Sequence, residues 1–239
     1  MNRQSLMRKF RKVFLFEFVE AIVAAIIIAA LLRFLVVSAY RVPTESMMPT
    51  LIPGDVVIAW KTSYGIQWPW SDQRVGARDP DRGDIVIFRH AEEDAIFVKR
   101  VIGRPGDRIE IRDGVVSLNE VPTSISRRIE GGWEYSEETT GASTHRVMVR
   151  ASATEPDFLA PMVVPPGHVF VMGDLRSESL DSRHWGPIPI DQIVGRVSFI
   201  AFSLEVDGFD PENPQGLTRK AEFTPRANLR FDRLLRALD

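Results

Sequence analysis

The sequence predicts a mainly β protein that carries an insertion and is preceded by one N-terminal helix of membrane length. Three observations predict this. Phe14 to Val37 is apolar apart from three charged residues. Beyond residue 40, short apolar runs are bounded by Gly, Pro and Asp, which is typical of strands joined by turns. Residues 119–164 are more polar, with several Thr and Ser. The 239 residues suffice for a compact domain with such an insertion.

The N-terminal helix is predicted to cross a membrane at residues 14–39, after a basic segment at residues 1–13. Ala21 to Ala39 would give about 28 Å of helix, which matches the hydrocarbon core of a bilayer. Basic residues without acids precede it, so the positive-inside rule places the N-terminus in the cytoplasm and the rest outside. The alternative is a cleaved signal peptide, with Ala21–Leu32 as its apolar region and Val37-Ser38-Ala39 as its cleavage site.

The exterior part is divided into a core domain at residues 40–118 and 165–203, the insertion at residues 119–164, and a tail at residues 204–239. Period-two patterns predict these strands: Val56–Trp60, Asp84–Phe88, Ile96–Ile102, Arg108–Ile111, Val115–Leu118, His145–Val149, His168–Met172 and Ile193–Phe202. Helical spacing of Leu and Phe predicts a short basic amphipathic helix at Leu229–Leu238, which lies on anionic headgroups or packs on its own domain. The aromatic loop Tyr64–Trp70 either dips into the outer leaflet or caps the core.

Composition excludes several kinds of chemistry. The net charge of −2 gives no reason to expect a nucleic-acid partner. The chain has no cysteine, which removes disulfides, thiol catalysis and thiolate metal sites. An oxidising compartment fits this composition, although cytosolic chains can also lack cysteine. The four histidines are scattered without a metal-binding spacing, so we predict neither a metal nor a cofactor.

Ser46 is the first candidate for chemistry because it lies close to the predicted membrane segment. Six residues separate it from Ala39, and an extended chain spans at most ~3.6 Å per residue. Ser46 therefore stays within roughly 25 Å of the bilayer, a position that suits a membrane-anchored substrate. Pro43 and Pro49 restrict the backbone around it, and the G-x-S-x-G setting of a hydrolase elbow is absent. The alternative is an ordinary turn serine.

Lys99 is the second candidate. In a strand, alternate residues share a face, so Lys99 points the same way as Phe97 and Val101. Burial there would lower its pKa, and a shift from ~10.4 to near 7 needs about 4–5 kcal/mol of differential desolvation. A neutral lysine can accept a proton from a serine hydroxyl. The alternative is a solvated lysine on an edge strand. Further along, Asp181 and Arg183 are predicted to pair and to brace a turn rich in hydroxyls.

Four ordered blocks of the chain resemble the type I signal peptidases, the membrane-bound serine proteases that cut leader peptides from exported proteins. The blocks are Pro43–Leu51, Arg82–Phe88, Phe97–Asp107 and Met172–Arg183, and the resemblance covers most of residues 15–200. It implies a mainly antiparallel β catalytic domain with an inserted β-rich cap. It also implies a single-pass protein of the bacterial inner (plasma) membrane, with its N-terminus cytoplasmic and its catalytic domain periplasmic.

The resemblance also implies a role for each matching residue. Ser46 would be the nucleophile and Lys99 the general base, and the Thr44 hydroxyl and the Ser46 backbone N–H would form the oxyanion hole. Ser179 would hydrogen-bond Lys99. The other implied residues are Gly173 as a support, Asp181 and Arg183 as a supporting ion pair, and Met47 in the substrate pocket. Leu175 departs from the family, which usually has Asn there, and so reduces polar support for the turn. Thr44 stands where Ser is common.

The expected partners are secretory preproteins and the lipid bilayer. An extended peptide with small residues at −1 and −3 from the cut would add a strand to an edge near Ser46. One alternative is an anchored relative that binds leader peptides without cutting, which the presence of both Ser46 and Lys99 disfavours. Another is a Ser/His/Asp protease that uses His184 or His168. A third is a Ser/Lys self-cleaving transcriptional repressor, which the membrane segment and the lack of a recognisable DNA-binding motif disfavour.

Overall fold

The computed structural model describes residues 3–67, 74–151, 158–207, 209 and 225–238. The two helices are α1 (Arg3–Leu35) and α2 (Ser182–Trp185), and short 3-10 helices lie at Lys61–Tyr64, Arg176–Glu178, Ile190–Gln192 and Phe231–Arg233. The strands are β1 (Val37–Arg41), β2 (Asp55–Trp60), β3 (Ile66–Gln67), β4 (Arg74–Val75), β5 (Ile85–His90), β6 (Ala95–Gly103), β7 (Arg108–Arg112), β8 (Val115–Leu118), β9 (Val121–Pro122), β10 (Ser124–Glu130), β11 (Trp133–Thr140), β12 (Ser143–Arg150), β13 (Leu159–Val163), β14 (His168–Met172), β15 (Ile188–Pro189), β16 (Ile193–Val206), β17 (Pro225–Leu229) and β18 (Arg236–Ala237).

The main sheet has nine strands, in the order β1-β2-β16-β5-β6-β14-β15, with β17 and β18 also paired to β16. Its paired strands are antiparallel. The fold is therefore mainly antiparallel β, as predicted, and all eight predicted strands are confirmed. Lys99 lies on β6 opposite Val86 of β5, at the centre of this sheet.

Strand β5, at the centre of the sheet, begins with four consecutive apolar residues because the sheet is covered on both faces there. Ile85 and Ile87 pack into a core cluster with Met47 and Leu51 on one face. Val86 and Phe88 pack into a second cluster on the other face, with Val101, Val169 and Tyr64. Because both faces are covered, every position from 85 to 88 is buried, and burial of this apolar surface stabilises the sheet.

The strands predicted in the insertion belong to two smaller sheets. Strands β10, β11 and β12 form a three-stranded antiparallel sheet, and β13, β7, β8 and β9 form a four-stranded one. The expected boundary at residue 118 falls inside the second of these, because β7 and β8 pair with β13 and β9 and not with the main sheet. A third core cluster, which includes Ile109, Ile111 and Val116, joins this small sheet to Phe170 of β14.

The helix α1 ends before the C-terminal boundary of the predicted membrane segment, residues 14–39. It stops at Leu35, and Ala39 lies in β1 opposite Ile58 of β2. The unpaired edge of β2 offers hydrogen bonds that a longer helix would leave unmade, and β-branched Val36 and Val37 favour the strand. Within the part of the chain that the structure describes, no helix has both the length and the hydropathy that crossing a membrane requires.

The predicted amphipathic helix at Leu229–Leu238 is wrong. That segment forms the end of β17, a 3-10 turn and β18, which pair with β16. Tertiary contacts override the helical spacing: the guanidinium of Arg233 is buried against Asp55, at 2.9 Å from Nε to Oδ1, and also donates to the carbonyl of Thr50.

In the predicted aromatic loop Tyr64–Trp70, Tyr64 is buried and donates its hydroxyl to Asp84 at 2.8 Å. Trp68 and Trp70 lie outside the described residues.

Candidate active site

The loop that presents Ser46 runs from residue 42 to residue 54 and connects β1 to β2; we call it the Ser46 loop. Its backbone closes on itself through hydrogen bonds from Met48 N to Glu45 O at 2.8 Å and from Leu51 N to Met47 O at 2.9 Å. Met47 and Leu51 are buried in the core cluster that holds Ile87. These apolar anchors fix the loop on the sheet and leave the partly exposed Ser46 between them and solvent.

Lys99 Nζ lies 2.7 Å from Ser46 Oγ. The predicted burial of Lys99 is confirmed, because only 2% of the residue is exposed. Burial penalises the charged ammonium and lowers the pKa of Lys99 to about 8, although the carboxylate of Asp181 opposes the shift. A lysine with this pKa is neutral in a substantial fraction of molecules at mildly alkaline pH, when its Nζ can accept the Ser46 proton.

The Thr44 hydroxyl lies on the same loop, with its Oγ1 at 3.5 Å from Ser46 Oγ. The threonine side chain is exposed, so its hydroxyl can turn toward an oxygen that develops negative charge beside Ser46.

Asp181 is fully buried, and its carboxylate accepts five hydrogen bonds, one of them from the backbone N–H of Arg183 at 3.3 Å. Its Oδ2 accepts from Ser179 Oγ at 2.6 Å and from Gly173 N at 3.0 Å, and Arg183 bridges both carboxylate oxygens at 2.8 and 2.9 Å. Burial by itself would favour the neutral acid, but the hydrogen bonds from Arg183, Ser179 and Gly173 outweigh it and lower the pKa of Asp181. The predicted Asp181–Arg183 ion pair is confirmed.

Ser179 corrects one expectation. Its hydroxyl donates to Asp181, and the expected hydrogen bond to Lys99 is not among the contacts of the described residues. A buried carboxylate is a stronger acceptor than an amine that burial keeps partly neutral.

Gly173 lets the turn of Ser179 pack directly on the Ser46 loop. A Cβ at Gly173 would collide with Ser179 and with the backbone carbonyl of Ser46. Only glycine allows the two segments to approach so closely.

The buried ion pair of Arg100 and Asp174 lies beside this site and was not predicted from the sequence. Asp174 accepts from Arg100 Nε at 2.9 Å and Nη2 at 2.8 Å, and from Thr50 Oγ1 at 2.5 Å. Burial by itself would raise the pKa of Asp174, but the charge of Arg100 and the hydrogen bonds from Arg100 and Thr50 together lower it. Thr50 belongs to the Ser46 loop, and Arg100 is the neighbour of Lys99 on β6. Asp174 therefore ties the candidate nucleophile to the strand of the candidate base. The available signal was an arginine flanked on its own strand face by Val98 and Ile102.

The family model described as signal peptidase, peptidase S26, matches residues 15–202. The chain belongs to this family. Signal peptidase I of Rickettsia conorii is 32% identical over 212 residues, which is 77% of this chain and 79% of the relative. Signal peptidase I of Pseudomonas aeruginosa is 32% identical over 223 residues, 83% of this chain and 75% of the relative.

A solved signal peptidase I from Enterococcus faecalis V583 is 25% identical and has a TM-score of 0.33, over 50% of this chain and 97% of that one. Membership of the peptidase S26 family makes the protein a serine peptidase and a hydrolase.

Neither histidine that a Ser/His/Asp peptidase could use is hydrogen-bonded to Ser46 among the described residues. His184 is exposed on α2, and the ring of His168 has a 3.0 Å contact to the carbonyl of Pro166. Among the described residues, no hydrogen bond joins either imidazole to Ser46. The triad alternative for this S26 peptidase therefore has no geometric support.

Leu175, where the peptidase S26 relatives that the sequence resembles usually carry Asn, is buried in an apolar cluster. It packs with Met48 of the Ser46 loop and with Trp133 and Met148 of the insertion. Its backbone N–H donates to the carbonyl of Ser46 at 3.1 Å. Hydrophobic packing thus takes the place of the polar support that the sequence alone suggested was reduced.

We expect Leu175→Asn to destabilise the protein by about 2–3 kcal/mol, because it removes a buried apolar side chain and leaves an amide in an apolar cluster. Urea unfolding measures the change. The matched control is Leu234→Asn at a half-exposed leucine, which should cost less than about 1 kcal/mol. Equal effects of the two substitutions would show that the cluster around Leu175 does not support the loop.

Proposed function

We propose that the protein is a membrane-anchored endopeptidase that removes N-terminal signal peptides from exported preproteins, with Ser46 as nucleophile and Lys99 as general base. The observation that carries the proposal is the 2.7 Å contact between Lys99 Nζ and Ser46 Oγ at a buried lysine. Membership of the signal peptidase family supports the reaction and the class of substrate.

The geometry supports a two-step acyl transfer. Neutral Lys99 takes the proton from Ser46 Oγ as the oxygen attacks the scissile carbonyl carbon. The resulting oxyanion accepts hydrogen bonds from the Ser46 backbone N–H and the Thr44 hydroxyl. The Lys99 ammonium then gives its proton to the leaving amine, and water hydrolyses the acyl-enzyme by the reverse proton path. Asp181, whose charge favours the ammonium form of Lys99, stabilises the lysine while it holds the proton.

The proposed substrate is an extended peptide with small residues at −1 and −3. Its backbone would lie along an exposed strand edge near Ser46, and a small pocket would reject larger side chains. We assign Met47 to the wall of that pocket because it follows Ser46 in the chain; its side chain is buried in the core cluster that anchors the Ser46 loop. We propose no nucleic acid as a partner.

The proposed anchor is α1. Its described side chains from residue 16 to residue 30 are exposed, and the large apolar ones among them are Phe16, Phe18, Val19, Ile22, Val23, Ile26, Ile27 and Ile28. An exposed apolar surface of this kind favours a lipid environment. The described residues of α1 do not by themselves meet the length and hydropathy of a membrane span. We propose from the basic residues before the apolar segment that the N-terminus is cytoplasmic, and that the β domain is periplasmic, at the bacterial inner membrane. Alkaline extraction of membranes tests the anchor: release of the full chain into the supernatant would contradict it.

Cleavage of a detergent-solubilised preprotein tests the function. The wild type should release a mature protein whose N-terminus follows a small residue. Replacement of that −1 residue of the substrate by phenylalanine should abolish release. Ser46→Ala should be folded and inactive on the unmodified preprotein. A folded wild type that cleaves none of several preproteins would favour the alternative of an anchored protein that binds leader peptides without cutting.

Activity should rise with pH and level off above about 8, the lowered pKa of Lys99. Below that pKa the lysine is protonated and cannot act as base, so kcat/KM should increase about tenfold per pH unit on the acid side. Glu45 beside Ser46 also titrates in this range, because burial and Glu178 raise its pKa to about 7. Glu45→Gln is therefore the control that should keep the inflection. A flat profile between about pH 6 and about pH 10 would exclude Lys99 as base.

A further inference from the structure

A cavity of about 360 Å³ lies between the three-stranded sheet of the insertion, the Ser46 loop and the C-terminal strand β18. The loop contributes Pro49 and Thr50, β12 contributes Thr144 to Arg146, and the C-terminal segment contributes Arg236 to Leu238. Its volume is within the range of small-molecule sites in proteins, roughly 300–1,000 Å³. The proposed chemistry at Ser46 and Lys99 does not use it, since neither residue lines it.

Two buried side chains in the wall of this cavity carry hydrogen-bonding capacity that the described residues do not satisfy. His145 is 7% exposed, and neither of its ring nitrogens has a hydrogen-bond partner among the described residues. Arg100 is 1% exposed and makes four hydrogen bonds, to Gly83, Thr50 and Asp174. An arginine has one more N–H donor than these four bonds use. Buried donors are rarely left without an acceptor, because the loss of hydration is costly.

The charges around the cavity favour an anion. Arg146 and Arg236 stand at its rim, and Arg100 lies in its wall, whereas Glu137 is the one acid among the described lining residues. Glu137 lies 4.0 Å from Arg146, a loose contact between two exposed side chains. Asp174 already neutralises Arg100. The rim arginines therefore leave a net positive charge directed at the space between the insertion and the C-terminus.

The donors come from three separate elements, β6, β12 and β18, so they approach the cavity from different directions. A tetrahedral phosphate offers acceptor oxygens in several directions, whereas a carboxylate offers two in one plane. We propose that this cavity binds the phosphate group of an anionic ligand, held by Arg146 and Arg236 with donors from His145 and Arg100. Because Arg100 also holds Asp174 and Thr50, the bound anion would contact residues that fix the Ser46 loop.

Calorimetric titration of the full chain in a neutral detergent tests the proposal with two soluble probes, inorganic phosphate and glycerol phosphate. A third probe, vesicles with or without phosphatidylglycerol, distinguishes a lipid headgroup from a free phosphate. The double variant Arg146→Gln/Arg236→Gln should weaken binding at least about tenfold. Arg128→Gln is the matched control, since Arg128 is an exposed arginine on the same small sheet and should leave binding unchanged.

The His145 imidazole supplies a second readout. Burial lowers the pKa of His145 to about 3, and a neighbouring anion stabilises the imidazolium, so its pKa should rise when the probe binds. Its NMR signal is identified by its loss in His145→Gln. Binding of a soluble probe, or of phosphatidylglycerol vesicles alone, supports the proposal when it disappears in the double variant. No binding of any probe, or an equal loss in Arg128→Gln, overturns it.

Discussion

Lys99→Met is expected to lower kcat/KM for preprotein cleavage by at least about 10²–10⁴-fold, the usual contribution of a general base. Methionine fills the same dry, apolar position between Phe97 and Val101 but cannot accept the Ser46 proton. The protein should remain as stable as the wild type or become slightly more stable, because a buried amine is replaced by an apolar side chain. Initial rates on one preprotein, with urea unfolding in parallel, measure both effects.

Two further variants serve as a control for the loss of a lysine and as a test of a histidine mechanism. Lys61→Met changes a partly exposed lysine on a 3-10 helix and should leave activity within about twofold of wild type. His184→Ala should also be active, because its imidazole has no hydrogen bond to Ser46. An active Lys99→Met together with an inactive His184→Ala would replace the dyad with a histidine mechanism.

The burial of Lys99 was predictable because it depends on a local pattern. Alternation along β6 assigns Lys99 to the side of Phe97 and Val101, and the antiparallel pairing with β5 places the apolar Val86 beside it on the same face. The eight confirmed strands have the same origin, since β-branched and aromatic residues at period two specify a strand without reference to distant residues.

The features that sequence reasoning missed depend on distant partners. Arg233 has the spacing of a helix surface residue, yet its pairing with Asp55, far away in the sequence, holds that segment in a turn. Strands β7 and β8 have ordinary strand patterns, and only the pairing with β13 places them outside the main sheet. Hydrophobic periodicity describes which face of an element is buried, but it does not identify the element that covers it.

The same limit applies to the site. Ser46, Lys99, Asp181 and Arg183 were identified through blocks of local sequence, and the structure brings them together. Asp174 lies in one of those blocks too, but its partners Arg100 and Thr50 come from two other segments. Leu175 was judged by the residue it replaces, whereas its packing against Met48 and Trp133 depends on an insertion whose position a local sequence pattern does not reveal.

Asp174→Ala should destabilise the protein by about 3–5 kcal/mol, because it leaves the fully buried guanidinium of Arg100 without its counter-ion. Thr50 loses its acceptor in the same variant, so the Ser46 loop should loosen and kcat should fall at temperatures where the protein is still folded. Urea unfolding and initial rates measure the two effects separately. The control is Asp81→Ala, since the Asp81 side chain is 59% exposed and pairs with the partly exposed Arg104, a contact worth at most about 1 kcal/mol.

A double variant tests the electrostatic cause of this loss. Arg100→Met in the Asp174→Ala background removes the stranded cation and restores apolar volume, so stability should recover by at least about 2 kcal/mol. Activity should not recover with it, because Thr50 still lacks the carboxylate that connects the Ser46 loop to the strand of Lys99. Recovery of both would mean that the ion pair serves folding alone. Recovery of neither would mean that Asp174 acts through its hydrogen bond with Thr50 and not through Arg100.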